Sequence, residues 1–196
     1  PTDAPADCVR RVWPIIQRNI PDYRLELISY GLGLEHAEQI YQDLGHKVDA
    51  LCSVYEPVRV RNRGMEALEL CTAPVCGMVP LLHPLYGREK LTIGDLAGET
   101  VLLAVKGLYP SFDAIRQVLA AQPLVTIEDL TDLETDSYNR AANEGKVLID
   151  FASAVPPTVR AIPLEDYRAP FGLYYFSGVR PAFREVLDRL RDMSFV

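Results

Sequence analysis

The sequence predicts an α/β fold divided into two lobes around a cleft, and three observations predict it. Apolar runs with strand character alternate with amphipathic helical stretches along the chain. The stretch from Cys76 to Leu96 reads as a strand leaving one packed unit for another. Its apolar residues 79–82 reach His83-Pro84-Leu85, where proline biases His83 toward extended backbone and stops the strand. A helical turn follows at residues 91–96, with Thr92 and Asp95 at capping spacing. Near the carboxyl end, residues 172–176 bring the chain back to a final helix. These crossings place lobe one at about residues 1–77 plus 168–196 and lobe two at 78–167. A chain crossing between lobes makes a cleft, and clefts take small molecules.

Each element has its local reason. Asp7 is placed to cap a first helix through about residue 19, with Val9, Val12, Trp13 and Ile16 at helical spacing and Pro14 kinking it or ending its first half. Residues 24–30 alternate as a strand, and Gly31 and Gly33 allow the turn. A helix over 35–44 is stopped by Gly45, and 48–54 is a strand. Residues 65–72 are extended and 75–82 form the crossing strand. Lobe two then needs a strand at 100–105, a helix capped by Ser111 and running to 121, a strand at 124–130, a helix over 135–143 ending near Gly145, and short strands at 146–151 and 161–164. The closing helix, 181–193, starts on Pro181. Such alternation argues for largely parallel pairing.

Composition narrows the function. At 196 residues with 48% apolar content and a mean hydropathy of +0.02, the chain suits a soluble globular protein. No window approaches the ~18 apolar residues of a membrane span. Pro1-Thr2-Asp3-Ala4-Pro5 lacks the basic start and apolar core of a secretory signal, so a cytoplasmic location is expected. A net charge of −7 makes the chain a poor partner for phosphate backbones. Cys8, Cys52, Cys71 and Cys76 show no disulfide framework or zinc spacing and are expected as small buried thiols in a reducing compartment.

Three ordered segments resemble the effector-binding domain of LysR-type transcriptional regulators. They are Ile20-Pro21-Asp22-Tyr23-Arg24-Leu25-Glu26-Leu27, then His83-Pro84-Leu85 with Leu91-Thr92-Ile93-Gly94-Asp95-Leu96, then Tyr174-Tyr175-Phe176 through Pro181-Ala182-Phe183-Arg184. The resemblance implies two Rossmann-like lobes in the type II periplasmic-binding-protein-like arrangement, a small-molecule effector between them, and no catalysis. It implies that DNA is bound only by an N-terminal helix-turn-helix, which these residues do not contain. It also implies a side-by-side homodimer, for which Val9, Val12, Trp13 and Ile16 could supply an apolar stripe, though the same stripe could be core. Members begin with a strand before the first helix. Only about six residues precede Asp7 here, so that strand is expected outside this numbering or cut away.

Ligand sites in open α/β sheets lie beyond the carboxyl ends of strands. That rule selects Ser29 and Tyr30, Glu56, the loop carrying Lys106, Tyr109 and Ser111, and Phe151 with Ser153. Lys106 brings a positive charge, Gly107 lets backbone approach, and the helix opening at Ser111 offers free N–H groups to an anion. An ordinary capped loop would carry the same residues. Asp7 would satisfy its own helix and repel an anion. Glu56 suits a cationic group or plain solvent, and Arg59, Arg61 and Arg63 could face a partner or nucleic acid, though three charges in an acidic chain are usually just solvated.

Nothing in the pattern specifies a metal, a cofactor or an enzyme. His36, His46 and His83 stand apart, His83 suiting a buried hinge. The acid-dense stretch 128–136 does not match a calcium loop and is expected as a solvated loop and helix start. No nucleophile elbow, P-loop or Ser/His/Asp set is present. The rival readings are a free-standing solute-binding protein of a transporter and an enzyme such as prephenate dehydratase, whose Thr-Arg-Phe tripeptide is absent.

Overall fold

A computed structural model describes residues 4–22, 24–28, 34–55, 64–151 and 155–192. The chain forms two compact units, Ala73–Ala169 and Thr2–Thr72 with Pro170–Val196. It passes between them inside two long strands, β2 (Met65–Pro80) and β6 (Val159–Phe176).

The Ala73–Ala169 unit contains β3 (Thr100–Ala104), α3 (Pro110–Leu119), β4 (Thr126–Leu130), α4 (Thr135–Glu144) and β5 (Val147–Phe151). β3 is central. It runs parallel to β4, with Thr100 opposite Thr126, and parallel to β5, with Val101 opposite Val147. Parallel neighbours need crossover connections, and α3 and α4 supply them. Such strands are covered on both faces and so become continuously apolar. Val101, Leu102, Leu103, Val147, Leu148 and Ile149 are all 0% exposed. The carboxyl half of β2 closes this set antiparallel to β5, with Val75 opposite Phe151. Gly145, in left-handed backbone, ends α4 as expected.

After β2 the chain is pinned to β6. Leu91 N–H donates to Pro163 O at 2.9 Å, Glu165 N–H donates to Leu91 O at 2.7 Å, and Arg160 donates to Tyr86 O at 2.9 Å. The expected capping pair is present and reciprocal. Asp95 accepts from the Thr92 amide at 2.8 Å and hydroxyl at 2.7 Å, and its own N–H donates to Thr92 Oγ1 at 3.2 Å.

The other unit contains α1 (Ala4–Asn19), α2 (Leu34–Asp43), β1 (Leu51–Val54), the amino half of β2, the carboxyl half of β6, and α5 (Pro181–Arg191). β1 runs antiparallel to β6, with Leu51 opposite Tyr174. Leu44, Met65 and Tyr174 form a core with Tyr41, Val48, Leu51 and Phe176. Phe183, Val186, Leu187 and Leu190 bury one face of α5. Gly172 is required by close backbone approach, because a Cβ there would lie 2.5 Å from Leu68 O and 2.7 Å from the Tyr55 ring.

Several expectations are corrected. α1 begins at Ala4, so Asp7 lies inside the helix rather than capping it, and Pro14 sits within one uninterrupted helix. Of the two alternatives left open for the apolar stripe the structure takes the core one: Val9, Val12 and Ile16 are 7%, 3% and 5% exposed and Trp13 is partly buried. Residues 24–28 form no strand, and Leu25, Leu27 and Ile28 stand 40%, 54% and 50% exposed. Their alternating pattern lacks a neighbouring strand among the described residues. Pairing is mixed, since both long strands enter antiparallel. The separate stretches expected at 65–72 and 75–82, and at 161–164 and 172–176, are each one strand. Cys8 of α1 and Cys71 of β2 form a disulfide, with Cα atoms 6.4 Å apart, in which Cys52 and Cys76 take no part. No described helix is long and apolar enough to cross a membrane.

Candidate functional site

The carboxyl end of β3 leads into the loop that the sequence singles out. Val105 N–H donates to Leu130 O at 2.8 Å, which fixes the exit of β3 beside that of β4. Gly107 then turns at φ +89°, a left-handed conformation that favours glycine. Its N–H donates to both carboxylate oxygens of Asp113, at 3.0 and 3.1 Å. Lys106 is exposed beside it.

The helix beyond does not start where expected. Tyr109 is the capping residue and Pro110 occupies the first turn, so Ser111 lies inside α3 rather than capping it. The Ser111 hydroxyl oxygen is buried without a hydrogen-bond partner. Pro110 carried the missed signal, because proline favours the first helical position and moves the cap to the preceding residue.

Two predicted residues meet here, joined by one that sequence reasoning missed. The Tyr109 ring lies 6.0 Å from Phe151 at the end of β5 and 5.2 Å from Phe112, both edge-on. Phe112 and Phe151 stack at 4.8 Å. Phe112 is 1% exposed and Phe151 5%, while Tyr109 is only half-buried. The two strand ends therefore present a charged, glycine-containing turn and a supported aromatic edge. Lys106, Tyr109, Ser111 and Phe151 belong to one unit. Ser29, Tyr30, Glu56 and Ser153 lie outside the described residues, as do Arg59, Arg61 and Arg63.

Asp150 underlies this end of β5. It is 7% exposed and sits opposite Cys76 in the ladder. Its carboxylate accepts the Tyr138 hydroxyl and, at 2.7 Å, the Phe151 amide. Burial raises its pKa to about 6, against the pull of these two hydrogen bonds.

The acid-dense stretch 128–136 is more structured than a solvated loop. Glu128 accepts from Lys146 at 2.7 Å and from Arg140. Asp129 pairs with Arg116 at 2.7 Å, and Arg116 also donates to Ala104 O at 2.7 Å. Asp132 O accepts the buried Ser137 hydroxyl at 3.2 Å. A depression of about 230 Å³ is lined by Asp129, Thr131, Asp132, Asp136, Ser137 and Arg140.

His83 has a buried side chain, 6% exposed. Its Nδ1 accepts the Leu85 amide at 3.2 Å, so the ring proton sits on Nε2, 3.1 Å from Glu99. No group of three or more His, Cys, Asp or Glu side chains suited to a metal occurs among the described residues. Around the 106–111 loop the structure places an exposed lysine, a glycine turn whose N–H is held by Asp113, and the half-buried Tyr109 ring.

The architecture is that of LysR-type regulator effector-binding domains, the type II periplasmic-binding-protein-like fold that the motifs imply. CbnR, a LysR family transcriptional regulator, is similar with a TM-score of 0.68 at 13% identity over 94% of this chain and 64% of that one. The effector-binding domain of QuiR in complex with shikimate is similar with a TM-score of 0.65 at 16% identity, over 93% of this chain and 88% of that one. The BenM effector-binding domain with benzoate gives 0.61 and 16%, over 94% and 84%. At these identities the likeness is one of fold. No family model and no curated protein matches the sequence.

Proposed function

We propose that this chain is the effector-sensing domain of a LysR-type transcriptional regulator and not an enzyme. One observation carries the reading: its fold matches such domains over more than nine-tenths of the chain. QuiR and BenM hold shikimate and benzoate, both small carboxylates. A small anionic effector is the corresponding ligand here. It engages Lys106, Tyr109, Ser111 and Phe151, with Ser29, Tyr30 and Ser153 as further contacts and Glu56 facing any cationic group that the effector carries. Residues 1–77 with 168–196 and residues 78–167 act as the two lobes. Binding shifts a conformational equilibrium that a separate N-terminal helix-turn-helix reads out on DNA. The acidic charge of −7 supports leaving DNA contact to that other domain. A homodimer in the cytoplasm is the working form. A free-standing transporter protein is not favoured, because the similar structures are regulators.

Calorimetric titration with a panel of small carboxylates, shikimate and benzoate included, tests the site. Lys106→Ala is expected to weaken the best-bound member by roughly 1–3 kcal/mol, the range for losing a charged hydrogen-bond partner. Equal affinity in Lys106→Ala, Ser111→Ala and Ser153→Ala would place the ligand elsewhere.

A further inference from the structure

The Cys8–Cys71 bond is the one covalent feature that the effector reading does not use. It joins α1 to β2 across a sequence separation of 63. Cys71 is followed directly by the step from Thr72 to Ala73, where β2 leaves its unit. The Cα separation of 6.4 Å falls within the range that a disulfide spans without backbone movement. The two sulfurs differ in setting: Cys8 is 3% exposed, whereas Cys71 is only partly buried. Among the described side chains of α1, Val9, Val12 and Ile16 are buried and Trp13 partly so, while Arg10, Arg11, Gln17 and Arg18 are exposed.

We propose that Cys8–Cys71 is a redox-responsive staple, opened in the folded protein by thiol reductants and fixing α1 against β2 only while oxidised. The chemistry is thiol–disulfide exchange. A thiolate of glutathione or of a dithiol attacks Cys71 Sγ, on the less buried of the two residues. The protein S–S bond breaks, a mixed disulfide forms, and Cys8 leaves as a thiolate that takes up a proton. A second reductant thiol attacks the mixed disulfide and releases Cys71. Two electrons and two protons pass to the protein, and the reductant becomes a disulfide.

The test uses the full chain, equilibrated under native conditions in glutathione buffers from oxidised to reduced. Samples are acid-quenched, unfolded, alkylated and weighed. Two alkylated cysteines at the oxidised end and four at the reduced end, reversibly, are expected, with Cys8 and Cys71 peptides joined in the oxidised form. Hydrogen exchange should show α1 amides at least ~10-fold faster after reduction, because exchange reports local opening. Cys71→Ser should match the reduced protein and ignore the buffer. Should that variant not fold, the wild-type titration decides alone. Four thiols throughout, a bond to Cys52 or Cys76, a native bond that survives excess reductant until unfolding, or unchanged α1 exchange on reduction would each overturn the proposal.

Discussion

In the Ala73–Ala169 unit, β3 and its parallel neighbour β5 carry side chains at 0% exposure, β4 flanks β3 on its other side, and two helices make the crossovers. The unit formed by Thr2–Thr72 and Pro170–Val196 is held differently. Its described pairing of β1 with β6 is antiparallel, and residues 24–28 form no strand. Point fasteners do much of the holding. Arg191 donates to Glu66 at 3.0 Å and to the Tyr175 hydroxyl at 2.7 Å, Arg180 grips Asp49, Tyr174 donates to Val54 O, and Cys8 is bonded to Cys71. A continuous core spreads stability over many small contacts, whereas fasteners concentrate it in few residues.

The largest expected effect breaks the core side of this contrast. Phe112→Ala removes a ring stacked on Phe151 from a position 1% exposed. It should cost roughly 3–5 kcal/mol. Hydrogen exchange should accelerate in β3 and β5 and stay unchanged in α5, and a uniform acceleration would show that the two units unfold as one.

Gly172→Ala attacks the other unit. Its new methyl meets Leu68 O at 2.5 Å, and backbone cannot yield as a side-chain tip can. A loss of roughly 1–3 kcal/mol is expected, read as acceleration in β1 and α5 with β3 protected.

Asp150→Asn sharpens the comparison from inside the core. The folded pKa of about 6 lies above the ordinary 3.8, so the folded state holds its proton to higher pH. This group's stabilising contribution is present below about pH 4 and is lost as pH rises through about 6. The variant should therefore be more stable than wild type at pH 7.5 by roughly 1–2 kcal/mol and should lack that group's slope in denaturant titrations between pH 4 and 6.5. Equal stability at every pH would mean that the carboxyl is not desolvated.

The smallest effect tests a local fastener in the core-rich unit. Asp95→Ala removes the acceptor of the Thr92 amide, the main cause of that carboxylate's lowered pKa. The loss should be about 1 kcal/mol or less, the range for a cap. A larger loss in thermal melts would show that the turn anchors more than itself.

How much of this was legible follows from what each residue constrains. The helices over 35–44 and 135–143 were readable because glycine stops are local, and Gly145 has the left-handed backbone expected of one. The continuity of β2 and β6 was not readable, because Pro74, Pro163 and Pro170 look like breaks. Proline removes a donor but keeps its carbonyl. Pro163 O accepts from Leu91 N and Pro170 O accepts from Tyr55 N at 2.7 Å, so the strand runs on. Residues 24–30 had the right alternation, yet pairing depends on a neighbour that the pattern cannot name. At the candidate site, the strand-end rule found Lys106, Tyr109 and Phe151, but Phe112 escaped because its importance is a contact with β5, far away in sequence. The Cys8–Cys71 bond escaped for the same reason.

The crossings inside β2 and β6 also fix an order of events during synthesis. The Ala73–Ala169 unit is one contiguous segment, whereas its companion is assembled from both ends of the chain. Chains are made from the amino end and domains fold as units. The contiguous unit is complete once Ala169 has emerged, while α1, β1 and the first half of β2 must wait for Pro170 to Arg191. Until then Val9, Val12 and Ile16 lack α5 and Leu44 lacks Tyr174, which makes the interval between the emergence of Ala169 and that of Arg191 a period when a newly made chain is prone to aggregate.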